Sequence, residues 1–391
     1  MTDEKDQPTT DAAPEPAVMP DQESAAGQPG QQGQPGQPQQ PPKVDLTFSN
    51  GLAKWLAAND VSLAFTSYQT GRLYLVGHGP QGKLTVHEAH YPQAMGVAGD
   101  MNRLYLGTLH QVVRMENALQ PGQIANNVHD KVYVPRNTQT IGDVDIHELG
   151  IREDGKVNFI NTKYSCIAEF SLFHSFKPVW KPTFISRLAP EDRCHLNGMA
   201  MRDGVPRYVS AVCKSDVIDG WRDRRDNGGV IIDVESDKIL AEGMSMPHSP
   251  RWHDDKVWAC NSGSGDIGWI DTKKKTFNPE FFAPGFLRGL AFHNNHVITT
   301  LSKPRYKRFE GLALDGRLKE KDADAWCGVQ IINMSNGNVE QWLRLDGGIS
   351  EMFDICVLPG VKNPMTLGPL SPEILGFITI EAPDSKTWRG E

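Results

Sequence analysis

From Val44 onward, apolar residues come in short runs of four to seven, bounded by Gly, Asp, Asn and Pro, with little of the 3.6-residue period of an amphipathic helix. That pattern predicts strands and turns. One arrangement of runs recurs six times, opening at AMGVAGDMNRLYLGT (Ala94), DIHELGIREDGKVNFINT (Asp145), LNGMAMRDGVPRYVSA (Leu196), PHSPRWHDDKVWACNS (Pro247), LRGLAFHNNHVITT (Leu287) and FDICVLPG (Phe353). Third strands follow in SCIAEFS, GGVIIDVES, DIGWIDTK and GVQIINMS, alternating or wholly apolar as buried sheet strands are. A repeat of this length built from strands predicts an all-β, six-bladed propeller. The last copy lacks its outer strands, while SLAFTSYQ, GRLYLVG and LTVHEAH stand unclaimed near the start. The sixth blade is therefore expected to be assembled from both ends of the chain, which leaves no sheet edge open in the ring. Seven blades would require residues 44–90 to form a complete blade alone.

Residues 1–43 hold nine Gln, nine Pro and four Gly with few large apolar side chains, so this stretch reads as a disordered tail ahead of a propeller domain at 44–391. A net charge of −8, with no run of Lys and Arg interleaved with aromatics, disfavours nucleic acid as a partner. No apolar run of bilayer length and no secretory leader pattern is present, which predicts a cytoplasmic protein without membrane association. The six cysteines are scattered without a CxxC pair and read as buried thiols. Lys303, Arg305, Lys307 and Arg308 read as a solvated basic loop, and Trp252, Trp258 and Trp269 as inter-blade core.

The repeat also carries the chemistry. Aligning the inner strands places Met95, His147, Asn197, His248, Arg288 and Asp354 at equivalent positions, and inner strands of a propeller line its axis. Two residues earlier stand Gln93, Asp145, His195, Met246, Phe286 and Met352, with Glu351 near the rim. So many polar groups in one small volume need each other, water, a metal or a ligand. His147, His195 and His248 are the candidate ligands of a divalent metal, Zn, Fe or Cu, because imidazoles from separate blades can take one face of an ion and leave positions for water and substrate. Calcium, on oxygens of Asp145, Asn197, Asp354 or Glu351, suits the histidines less. Arg288 is the anion clamp or the partner of Asp354 or Glu351, and Arg288, Glu351 and Asp354 are the candidate catalytic groups, with Arg288, Asn197 and Asp145 on the substrate. No HExxH, GxSxG, P-loop, or GxGxxG followed by a helix supports a more specific chemistry.

The stretches DVDIHELG, FISRLAPEDRCHLNGMAMRDGVPRYVSA, SMPHSPRWHDDKVWACNSGSGDIGWID, GFLRGLAF and EMFDICVLPG closely resemble the bacterial DUF4915 family, from about Val44 to about Pro364. This resemblance implies the extent and fold of the domain and names no substrate. LNGMAM also looks like the inner-strand motif of the strictosidine synthase and gluconolactonase propellers, which place Asn and acidic residues at the axis, often around calcium. Asn197 matches that pattern, with Asp354 or Glu351 at the acidic positions, whereas His147, His248 and Arg288 depart from it. A histidine-lined axis is similar in architecture to the carotenoid oxygenase propellers, where imidazoles hold iron. The combined expectation is a metal-dependent enzyme acting by hydrolysis or oxidation on a small anionic substrate. The alternative is a non-catalytic propeller that binds a peptide or protein partner.

Overall fold

The apolar runs become strands covered on both faces, which is why several, such as Val61–Ser67, are buried along their whole length. The computed structural model describes residues 43–304, 311–381 and 387–389. Six of its sheets, antiparallel except for one added edge strand, surround one axis as a six-bladed β-propeller. The blades open with inner strands Ile355–Pro359, Val97–Gly99, Ile146–Ile151, Leu196–Arg202, Pro247–His253 and Phe286–His293, which we number blades 1 to 6. Of the expected tail, residues 1–43, all but Lys43 lie outside the described residues, as do Arg305, Lys307 and Arg308 of the basic loop. Lys303 pairs with Asp346 at 3.3 Å. Among the described residues no helix is long and apolar enough to cross a membrane.

Closure follows the sequence expectation. In blade 1 the inner strand Ile355–Pro359 pairs antiparallel with Val61–Ser67, Ile355 opposite Phe65 and Pro359 opposite Val61, and Arg72–His78 and Leu84–His90 complete the sheet. The closure is reinforced by the buried Ser62 hydroxyl, which donates to the Val361 carbonyl at 2.8 Å. Substituting Ser62→Ala strands that carbonyl and is expected to cost about 1–3 kcal/mol, read as a lower urea midpoint with unchanged slope.

Each seam between neighbouring blades holds its own apolar cluster. Between blades 1 and 2 lie Leu73, Leu75, Leu104 and Tyr133; between blades 4 and 5 lie Tyr208, Ile231, Val257 and Ile270. Trp258 stacks on Phe281 at 6.2 Å within the seam of blades 5 and 6, as core reading requires, whereas Trp252 and Trp269 are only part-buried. All six thiols are free, and Cys356 alone among them is not completely buried.

The repeat reading did not anticipate the additions. Val44–Phe48 extends blade 6 by a fifth strand, and Pro364–Thr366 runs parallel to the outer strand of blade 2. The helix Leu52–Asn59 covers the seam of blades 6 and 1 with Leu52, Trp55 and Leu56. The connections from second to third strand all emerge at one end of the ring, and most are short: 68–71, 108–110, 162–165 and 262–265. Two are long. Blade 4 inserts 212–228, and blade 6 inserts 303–326, which carries the helix Ala313–Glu320. Leu312, Leu314 and Leu318 of the second insertion pack against Val212, Cys213 and Trp221 of the first. Loops on a rigid scaffold are where function is usually carried, and here Trp221, Arg222, Asp223 and Arg225 of the blade 4 insertion line one mouth of the axis.

Candidate functional site

At the end bearing the insertions the axis widens into a funnel of about 440 Å³, within the range of small-molecule pockets. Four of the six aligned residues line it, Met95, His147, His248 and Arg288, together with Gln93, Asp145, His195 and Met246 from two positions earlier. Those earlier residues do not reach the funnel by the alternation of an extended strand. All four hold left-handed backbone, with φ of 52° at Gln93, 54° at Asp145, 50° at His195 and 47° at Met246. The same uncommon turn repeated before four inner strands marks a conserved local geometry within the chain, kept although left-handed backbone is costly for such side chains.

That turn orients the imidazoles. His147 Nδ1 lies 2.9 Å from the Asp145 carbonyl, and His248 Nδ1 lies 2.9 Å from the Met246 carbonyl. A carbonyl only accepts, so Nδ1 carries the proton in both rings and Nε2 keeps its lone pair. Thr162 and Ser262 hydroxyls sit on the same Nδ1 atoms at 2.9 and 3.0 Å. His195 is held differently: its Nδ1 faces both oxygens of Asp192, at 2.8 and 3.0 Å. Trp221, from the blade 4 insertion, donates Nε1–H to the same carboxylate at 2.7 Å and stacks on the His195 ring with centroids 4.1 Å apart.

The three rings adjoin one another. His147 and His195 meet edge to face at 5.1 Å, and His147 and His248 lie 6.5 Å apart and nearly parallel. Their environments drive them in opposite directions. Burial lowers the proton affinity of His147, against the pull of Asp145. Burial, then the charge of Arg288, holds His248 well below an ordinary imidazole. For His195 burial also disfavours the charge, but the Asp192 carboxylate and its hydrogen bond, with Asp145, prevail and raise its pKa.

Arg288 forms part of the floor, over the rings of Phe286, Tyr68 and Phe353 at 4.9, 5.5 and 5.7 Å. Burial lowers its pKa to about 10, so it stays charged at neutral pH. Of its two anticipated partners the structure places Glu351 beside it, 3.6 Å away. Glu351 also accepts from the Tyr68 hydroxyl, and burial pushes its carboxyl up to about 7.

Asp354 and Asn197 stand apart from the funnel lining. Asp354 accepts from the backbone N–H of Val97 and Ile355 at 2.9 and 2.8 Å, and faces Arg251 at 3.5 Å. Arg251 in turn binds Glu148, whose other oxygen accepts from Met199 N–H at 2.8 Å. Two carboxylates and one guanidinium, from blades 3, 1 and 5, thus knit the middle of the axis. Asn197 donates to the Pro247 carbonyl at 3.0 Å, and its buried Oδ1 has no hydrogen-bond partner among the described residues. Met352 belongs to the core of blades 6 and 1. Among the described residues, no three His, Cys, Asp or Glu side chains are arranged so as to hold a metal ion.

Glu148, Asp192, Trp221 and Arg251 escaped the sequence reading. Asp192 carried a local signal, three residues before His195 in EDRCHLN, and Trp221 sits in DGWRDRRDNGG, an interruption between two clear strands. Glu148 and Arg251 occupy different offsets in their copies, so alignment of the repeat does not single them out.

A family model described as "Domain of unknown function (DUF4915)" matches residues 50–367. No protein in a curated set matches the sequence. Among solved structures, a nidogen/laminin complex aligns with a TM-score of 0.48 at 10% identity, over 77% of this chain and 99% of that one. A protein of unknown function from Bacteroides caccae aligns with a TM-score of 0.45 at 12% identity, over 76% and 99% of the two chains. A catalytically inactive virginiamycin B lyase from Staphylococcus aureus, with quinupristin, gives 0.37 at 10% identity, over 78% and 99%.

Proposed function

The chain belongs to the DUF4915 family, and from that premise we propose that its axial funnel is the active site of a cytoplasmic enzyme that transfers protons on a small anionic substrate. One observation carries this reading: two adjoining imidazoles, 5.1 Å apart, whose surroundings separate their proton affinities. Titratable neighbours pushed apart in this way supply an acid and a base at the same pH. His195, charged on Asp192, is the general acid. His147, neutral with its Nε2 lone pair available, is the general base. Arg288 orients the anionic end of the substrate. The Trp221 indole fixes Asp192, and the insertions of blades 4 and 6 fix Trp221, so the acid is held on packed structure.

A second reading keeps the metal. Each of the three imidazoles has its Nδ1 engaged, by a carbonyl or a carboxylate, which is the outer-shell arrangement of metal-bound histidine and leaves each Nε2 as a ligand. A Zn, Fe or Cu ion drawn in by small movements of these rings would polarise substrate or water.

Incubation of the purified full chain with a metabolite extract, followed by mass spectrometry, tests both. Consumption of a compound by wild type and not by His147→Gln, at a rate bell-shaped in pH, supports acid–base catalysis. Stoichiometric metal that is lost in a His147→Ala/His248→Ala variant favours the second reading. A chain that consumes nothing and instead retains a peptide or protein on this face overturns both.

A further inference from the structure

Arg288 differs from Arg251 and Arg193 in how little holds it among the described residues. Arg251 donates to the carbonyls of Leu290 and Pro250, both at 2.8 Å, and to Glu148. Arg193 bridges Glu191 and Asp216 at 2.6 and 2.5 Å. Among the described residues the Arg288 fork has the Ser302 hydroxyl at 3.3 Å, the Met352 carbonyl at 3.5 Å and Glu351 at 3.6 Å. Charge-assisted bonds close to about 2.7–2.9 Å, so the contacts of this buried cation among the described residues are all long. It lines the funnel, with three aromatic ring centroids 4.9, 5.5 and 5.7 Å from its guanidinium carbon.

The surroundings also select the anion. A phosphate group needs several donors, from a helix N-terminus, a nest of backbone N–H groups or clustered cations. The remaining arginines of the lining belong to the blade 4 insertion, where Arg222 pairs with Asp219 at 2.9 Å and Arg225 donates to the Arg222 carbonyl at 2.8 Å. Asp145, Asp192 and Asp223 share the lining and would repel a second negative charge. Among the described residues, a planar fork beside aromatic rings, with three carboxylates in the same lining, fits a singly charged carboxylate better than a phosphate.

Resting on the reading of the funnel as an active site, we infer that the funnel contains a subsite for one carboxylate group, held by Arg288 beside Tyr68, Phe286 and Phe353.

Calorimetric titration of the full chain with propionate, benzoate, propionamide and inorganic phosphate decides the matter. The two carboxylates should bind, and the amide and phosphate should not. Arg288→Lys, which keeps the charge without the fork, should weaken carboxylate binding about tenfold or more. Phosphate preferred over carboxylate, or carboxylate affinity unchanged in Arg288→Lys, would overturn the inference. Carboxylate binding in a chain that turns over nothing sinks the catalytic reading and leaves the subsite standing; turnover of uncharged compounds does the reverse.

Discussion

Replacing Arg251 with methionine should destabilise the folded chain by about 3–5 kcal/mol, because it leaves two buried carboxylates facing each other without a cation. Glu148 and Asp354 expose only 4% of their side chains each, so neither can turn to water without moving its strand. In the wild type, two carboxylates facing one guanidinium in a closed volume leave one negative charge in excess. Burial, partly opposed by Arg251 and reinforced by Asp354, therefore raises the Glu148 carboxyl to about 8. Its folded pKa lies above the unfolded value of 4.5, so the folded state binds the extra proton and wild-type stability should decline as pH rises from 4.5 through about 8. Without Arg251 both carboxyls gain proton affinity, and the decline should steepen. Urea unfolding of both proteins at pH 5, 7 and 8.5 measures this, and adding Glu148→Gln to the variant should recover part of the loss at pH 8.5. A variant within 1 kcal/mol of wild type at pH 8.5 would show that the cluster does not hold the axis together.

The second large effect is expected at Asp192. Changing it to Asn keeps the shape and removes the charge that sustains His195 as an imidazolium. Burial, which already opposes that charge, then prevails, and the His195 pKa should drop below 6.5, visible in an NMR titration. The stability signature reverses with it. In the wild type the raised pKa adds stability below pH 6.5 that is lost as pH climbs through the folded value; in Asp192→Asn stability should instead be lost as pH falls below 6.5. On the acid–base reading turnover should fall about 10²–10⁴-fold, the usual contribution of a positioned acid. Trp221 should respond too, since its Nε1–H loses a charged acceptor. Turnover unchanged in a folded Asp192→Asn protein would remove His195 from the mechanism.

Both predictions concern residues that the repeat did not reveal, and the reason is geometric. Aligned positions identify what recurs at the same height and angle around the axis, and this succeeded for Met95, His147, His248 and Arg288. It misjudged how Gln93, Asp145, His195 and Met246 arrive, because a left-handed turn rather than a pleat brings them to the funnel. It grouped Asn197 and Asp354 with the funnel, although their side chains satisfy backbone groups and Arg251 nearby. It passed over Asp192 and Trp221, whose value depends on an insertion folding back over the axis.

Read alone, the chain of residues was sufficient for the number of blades, the closure of blade 1 by both termini and the histidines that belong near the axis. Strand periodicity is local and repeats, so it survives without coordinates. The partners of those histidines, the separation of their proton affinities and the sharing of Arg251 by two carboxylates were decided only by the tertiary structure. Hydrogen bonds and desolvation depend on groups brought within a few ångströms from distant parts of the chain, and no local pattern encodes that proximity.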